Sequence, residues 1–243
     1  MNILGIDIGG SALKGAPVNI KTGQLLAERH RISTPDVLTP KAMAAAVNKL
    51  ARHFKWKGPI GVGFPGVIHD NVILTSANLH KDFIGCDAGK LFGKATGLPV
   101  SLVNDADAAG VAEVKFGAGK GIGGTILLLT FGTGVGSALF VDGRLYPNSE
   151  FGHLQIKHKS AEHFVSAAAK ERDELSYKKW AHKVSDYLNQ LENVLWPKLI
   201  IVGGGISADH DKWFKYLKVR TPVVAASFLN EAGIVGAALA VKK

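Results

Sequence analysis

Cysteine is nearly absent: Cys86 is the only one in 243 residues. No intrachain disulfide can form, and a zinc site built on several thiolates is excluded. Long hydrophobic runs are missing too, since no stretch approaches the roughly 18 apolar residues that a membrane helix needs. The N-terminal MNILGIDIGGSALKG has no basic leader before its apolar run and carries Asp7 within it, so a secretion signal is not expected. These absences point to the reducing cytoplasm, with no membrane partner. Acidic residues are scarce beside basic ones, 20 Asp and Glu against 29 Lys and Arg, for a formal charge of +9. That balance favours polyanionic partners without separating nucleic acid from phosphorylated substrates or anionic membranes. With 47% hydrophobic and 20% charged residues, the composition excludes a disordered chain, a collagen and a coiled coil. A chain of this size buries roughly 70% of its unfolded surface, enough for one large core or two small ones.

What is present is an internal echo. Residues 3–18, ILGIDIGGSALKGAPV, align without gaps on residues 126–141, ILLLTFGTGVGSALFV. GVGFPGVI at 61–68 is an apolar strand ending in a glycine turn, and so is LIIVGGGIS at 199–207. VNDADAAGVA at 103–112 then finds a counterpart in LNEAGIVGAA at 229–238, both continuing as Ala/Gly-rich helices. Three landmarks in one order predict two related α/β halves facing a cleft, with an insertion in the second half. The expected division is residues 1–104 and 105–227, with a final helix over about 228–243 packing back on the first half. Thr39–Pro40 predicts a capped helix through about residue 54, with Met43, Val47, Leu50 and Phe54 on one face. Ser176 predicts another, carrying Trp180, Val184, Leu188, Leu191 and Leu195 until Trp196–Pro197 stops it. The glycines at 117, 119, 121, 123 and 124 read as a mobile segment.

Glycine turns directly after buried strands expose backbone N–H groups that phosphate oxygens can approach. Three occur: Gly9–Gly10–Ser11, Gly132–Thr133–Gly134 and Gly203–Gly204–Gly205. None fits the Walker or dinucleotide pattern in context, and each alone could be a tight hairpin; recurrence in a duplicated frame favours phosphate binding. Asp7, at the end of the first strand, is suited to hold Mg²⁺ directly or through water, or else to satisfy turn amides. Asp105 should stand at the N-terminus of the alanine-rich helix, where the dipole favours its ionised form. There it could take a proton from a substrate hydroxyl, or Asn104 or Asp105 could simply cap the helix. Glu150, His153 and Glu162 form a polar cluster without the HExxH spacing of a metal site. They are equally consistent with binding a polyhydroxyl substrate or with a solvated loop.

DIGGSALKG, GFPG, VNDADAAGVAE, LTFGTGVGSALF, EFGH and IVGGGIS, in that order, resemble the ROK-type sugar kinases over residues 3–239. The resemblance implies the two-lobed actin-like ATPase fold, a duplicated ribonuclease H-like α/β architecture with a cleft between lobes. NDADAAG, FGAG, SAAAKERDELSYKKWA and NEAGIVGAA are most similar to the polyphosphate-using glucokinases of that family. In many ROK proteins a cysteine-rich zinc motif follows the Glu-x-Gly-His segment; here that stretch is QIKHKSAEHFVS, which implies no zinc site. Carried over, the resemblance makes Asp105 the general base, with Asn78, Asn104, Glu150, His153 and Glu162 binding the sugar. The turns at 9–11 and 132–134, with Lys14, would face the transferred phosphoryl chain, and Gly203–Gly205 the nucleoside in ATP-using relatives. The implied substrates are glucose, with mannose as a further acceptor, and polyphosphate or ATP, with Mg²⁺ as cofactor. A homodimer is implied as well. Lys14, Lys115, Lys120 and Arg144 are candidates for a polyphosphate path. Regulatory relatives carry a helix-turn-helix domain before the first strand; here that strand starts at residue 3, so an enzyme without a nucleic-acid partner is expected.

Overall fold

The computed structural model describes residues 1–34, 38–76 and 79–241. The chain divides into two compact units, residues 1–112 with 231–243, and residues 113–230. The first contains β1 (Asn2–Ile8), β2 (Ala12–Asn19), β3 (His30–Ser33), α1 (Pro40–His53), β4 (Ile60–Phe64), β5 (Ile68–His69), β6 (Val72–Ile73), α2 (Ala88–Thr96) and β7 (Val100–Asn104). Helix α3 (Asp105–Phe116) starts in the first unit and ends in the second. The second unit continues with β8 (Thr125–Phe131), β9 (Val135–Val141), β10 (Arg144–Tyr146), β11 (Gln155–Ile156), β12 (Lys159–Ser160), α4 (Glu162–Val165), α5 (Ala167–Arg172), α6 (Tyr177–Leu195), β13 (Leu199–Gly203), α7 (His210–Trp213) and β14 (Val223–Ala225). Helix α8 (Ala232–Leu239) returns to the first unit.

The two main sheets have the same topology. One runs β3-β2-β1-β4-β7, the other β10-β9-β8-β13-β14. In each, the first three strands pair antiparallel and the last two add in parallel. The echoed segments are therefore equivalent elements: the β1–β2 and β8–β9 hairpins, β4 and β13, and the α3 and α8 helices that follow the last strand of each sheet. Between the equivalent strands β3 and β4 the described residues of the first half form α1 alone, whereas between β10 and β13 the second half has the β11–β12 hairpin with α4, α5 and α6, which locates the insertion.

Local chemistry accounts for the helices that carry the cores. Thr39 accepts from Ala42 N at 3.3 Å to cap α1, and Pro40 takes the first position, where its missing N–H costs nothing. Met43, Val47 and Leu50 are fully buried on its inner face, each worth about 1.5–3 kcal/mol relative to exposure. Ser176 caps α6 through Lys179 N, and the helix ends where Trp196 turns left-handed (φ 47°) before Pro197. Its buried face packs Trp180 against Phe131 and Trp213, and the Trp180 indole donates to Val165 O at 3.0 Å. On the first sheet, α8 lies directly over β1 and β4. A Cβ at Gly5 would collide with Ile234 O, and one at Gly61 with Ala237 O, so glycine alone permits this approach. The glycines at 117 and 119 serve packing as well: side chains there would meet the Glu113 carboxylate and the Val114 backbone. Glu113, fully buried, accepts from Ala118 N and Phe228 N.

Candidate active site

In the first unit the polar groups gather at the carboxyl ends of β1 and β7. Asp7 stands opposite Lys14 in the β1–β2 pairing. Its Cγ lies 2.9 Å from where a Cβ on Gly233 would be, so α8 passes over the carboxylate only because residue 233 has no side chain. Burial pushes the Asp7 carboxyl above the usual carboxylate range, with Lys14 pulling the other way. A nearby cation would relieve that penalty. One carboxylate, completed by phosphate oxygens and water, is a donor set that Mg²⁺ accepts, so Asp7 fits the role; among the described residues no cluster of three or more His, Cys, Asp or Glu could hold a metal on its own.

Two residues on, Gly9–Gly10–Ser11 turns β1 into β2. Gly9 N donates to Ala12 O at 3.0 Å, and Thr34 braces the turn by donating to Gly9 O. Gly10 has no atom within 4 Å of a built Cβ, and its φ is not in the left-handed region. Nothing among the described residues requires glycine there.

Asn104 closes β7, only 5% exposed. Its Oδ1 accepts from Asp107 N at 3.0 Å, capping α3, and its Nδ2 donates to Gly66 O at 3.1 Å. Asp105 is the first residue of α3, half-buried, and its Oδ1 accepts from Ala106 N at 2.8 Å. The strand end and the Asn104 cap together fix an acidic side chain at the first position of the helix. Asn78 lies outside the described residues.

In the second unit the polar cluster is real in three dimensions. His153 Nδ1 lies 3.8 Å from Glu150 Oε2 and its Nε2 lies 3.9 Å from Glu162 Oε1, so one imidazole spans two carboxylates. Glu150 is held above the ordinary range by burial, with His153 opposing and the Glu162 charge reinforcing. The sequence Glu-x-Gly-His has a steric reason: a Cβ at Gly152 would strike Val135 O, so glycine lets the short 3-10 turn Phe151–His153 cross β9. Ser137, buried on β9, donates to Ser149 O at 2.6 Å and accepts from Phe151 N at 2.9 Å, fixing the backbone on both sides of Glu150. Glu162 opens α4, and its Oε2 accepts from Val135 N at 3.2 Å.

That last bond brings the cluster to the glycine turn. Gly132–Thr133–Gly134 joins β8 to β9, with Gly132 N donating to Gly134 O at 3.0 Å and Ala168 N donating to Gly132 O at 3.1 Å. Gly132, like Gly10, has empty space where a Cβ would stand, whereas Gly134 is needed beneath the Glu162 carboxylate. The third turn differs. Gly204 is left-handed (φ 82°) and leads from β13 into a 3-10 turn, its carbonyl accepting from Ser207 Oγ at 2.7 Å.

Sequence reasoning passed over Ser137 and Tyr187. Tyr187 is fully buried on α6, and its hydroxyl has no hydrogen-bond partner among the described residues. Burial, and secondarily the Glu162 charge, push its phenol upward. Its position three residues after Val184, on the apolar stripe of α6, was the available signal.

The chain belongs to the ROK family, whose sequence profile it matches over residues 3–164. It is 48% identical to a polyphosphate glucokinase of Mycobacterium tuberculosis, over 97% of this chain and 89% of that protein. The inorganic polyphosphate/ATP-glucomannokinase of Arthrobacter sp. strain KM superposes with a TM-score of 0.94 at 44% identity, covering 98% of this chain and 97% of that one. A ROK glucokinase of Streptomyces griseus, solved with glucose and AMPPNP, shares the fold at a TM-score of 0.82 and 23% identity, covering 98% of each. The duplicated α/β architecture is thus the actin-like ATPase fold of ROK sugar kinases. No helix among the described residues is long and apolar enough to cross a membrane.

Proposed function

We propose that this protein transfers the terminal phosphoryl group of inorganic polyphosphate to the 6-hydroxyl of glucose, giving glucose 6-phosphate, with ATP as the alternative donor. The likeness to the mycobacterial polyphosphate glucokinase supports the reaction class. The observation that carries the reading is Glu162: one carboxylate oxygen is tied to the backbone after the Gly132–Gly134 turn, while the other faces His153, which also contacts Glu150. A set of hydroxyl-binding groups and a phosphate-binding turn thus share one side chain.

Phosphoryl transfer passes through a loose transition state, so the protein chiefly positions the nucleophile and stabilises charge on the phosphoryl oxygens. Asp105 orients the sugar's 6-hydroxyl and takes its proton as the new O–P bond forms. The bond to the next phosphate breaks, and a chain one unit shorter leaves. Glu150, Glu162, His153, Asn104 and Asn78 hold the other hydroxyls. The N–H groups of Gly9–Ser11 and Gly132–Gly134 other than those of Gly9 and Gly132, which bond within their turns, face the phosphoryl oxygens with Lys14, and Gly203–Gly205 takes the rest of the donor. Asp7 is the residue that would hold Mg²⁺, which when bound neutralises phosphate charge. The same reading places the enzyme in the cytoplasm as a homodimer, with mannose as a second acceptor.

The test is a steady-state matrix of polyphosphate, ATP and GTP against glucose, mannose, fructose and glucosamine, at matched phosphate concentration. Glucose with long-chain polyphosphate is expected to give the highest kcat/KM. A clear preference for ATP rejects the donor assignment, and a preferred acceptor other than glucose rejects the sugar.

A further inference from the structure

The second unit contains a cavity of about 690 Å³, most of whose lining the proposed chemistry leaves unused. Its volume suits a ligand of several groups, but its lining does not suit an apolar one. Lys159, Arg172, His158 and His163 line it, and among the described residues that do so there is no Phe, Tyr or Trp on which a nucleobase could stack. It also includes Thr133 of the glycine turn and Glu162 of the hydroxyl-binding cluster, so it adjoins the groups assigned to phosphoryl transfer.

The basic side chains of the lining, all four exposed, are set by local structure. Lys159 and His158 come from the β11–β12 hairpin, whose two-residue turn puts Lys157 (φ 50°) and His158 (φ 64°) in the left-handed region usually left to Asn-Gly. Arg172 is anchored by Nη2 donating to His163 O at 2.8 Å and by Nε donating to Asp173 Oδ1 at 2.8 Å. Lys159 Nζ stands 3.4 Å from His163 Nε2. Arg172 is paired with Asp173 through both carboxylate oxygens, at 2.8 and 3.1 Å, which leaves Lys159, among the described residues of the lining, as the unpaired fixed cation and Glu162 as the one carboxylate.

We infer that this cavity is the subsite for the inorganic polyphosphate chain beyond the unit being transferred. The inference rests on the polyphosphate reading above. A cavity many times larger than one phosphate group, lined by Lys159, Arg172, two imidazoles and the hydroxyls of Thr133, Ser160 and Ser166, suits a repeating polyanion better than a single phosphate or a nucleoside. It predicts that recognition grows with chain length.

The experiment compares KM for long-chain polyphosphate and for tripolyphosphate in the wild type, in Lys159→Gln, in Lys159→Gln combined with Arg172→Gln, and in Lys178→Gln. Lys178 is an exposed lysine of α6 outside the cavity and controls for net charge. In the double variant the long-chain KM, relative to the tripolyphosphate KM, rises about tenfold, the effect of losing about 1.4 kcal/mol of charge-assisted contact. Lys159→Gln alone gives a smaller rise in the same direction, and it decides the question if the Arg172 change prevents folding. In Lys178→Gln the ratio stays at the wild-type value. An unchanged ratio in the cavity variants, or an equal rise in Lys178→Gln, overturns the inference. So does weaker inhibition by inorganic phosphate with unchanged long-chain KM, which would make the cavity a monophosphate site. A wild type that does not turn over polyphosphate at all removes the underlying reading, and the inference with it.

Discussion

Two carboxylates of the proposed machinery, Asp7 and Glu150, lie in surroundings that disfavour their charged state. Burial raises both pKa values. In each case the folded protein binds the proton more tightly than the unfolded chain, so the associated stability is present at low pH. It is lost as pH rises from the ordinary carboxylate value through the raised one. Asp7→Asn and Glu150→Gln are therefore expected to melt at higher temperature than the wild type at neutral pH, with the difference shrinking toward acid, while phosphoryl transfer falls. Thermal melts at two pH values check this; lower melting at neutral pH in both variants would contradict it. Stability exchanged for function at such positions is expected. The sequence exposed these residues as candidates but not their electrostatics: the burial of Asp7 depends on α8 crossing at Gly233, far away in the chain, and Glu150 is influenced by Glu162, twelve residues on. It also left open whether Asn104 or Asp105 caps α3, since both residue types cap well. The structure gives the cap bond to Asp107 N to Asn104, whose amide is also fixed on Gly66 O.

Among the elements, the glycine turns divide into those the fold requires and those it does not. Gly236 lies where α8 crosses α3, and a Cβ there would collide with Ala108 O. Gly10 and Gly132 have open space at the same test. Gly236→Ala should cost about 3 kcal/mol or more through overpacking against backbone. Gly10→Ala and Gly132→Ala should stay within about 0.5 kcal/mol of wild type, yet raise the donor KM, because the added methyl stands where phosphate oxygens approach the turn. Denaturant melts paired with donor titrations separate the two classes, and unchanged donor KM in both turn variants would remove the phosphate-binding role. The β1–β2 and β8–β9 hairpins were legible from their alternating apolar strands and glycines. So were α1 and α6, whose caps and apolar stripes are explicit. The β11–β12 hairpin was not, because Lys157–His158 carries none of the usual turn chemistry and its strands are two residues each.

For the whole molecule, the duplication visible in the sequence is a duplication of topology: strand order and direction agree in the two sheets. The two glycine turns proposed for the phosphoryl chain are duplicated, but the side chains proposed for the sugar are not. The position of Asp105 in the first repeat is taken by Glu231 in the second, and the Glu150–His153–Glu162 cluster belongs to the insertion and its approach, which have no counterpart in the first half. Residue type alone left these assignments open, and the family likeness supplied them. The account therefore turns on one side chain, and the most direct measurement is turnover by Asp105→Asn with glucose and long-chain polyphosphate, beside glucose affinity by titration. Loss of the general base should lower kcat by about 10²–10⁴-fold while glucose still binds. A kcat close to that of the wild type would contradict the account.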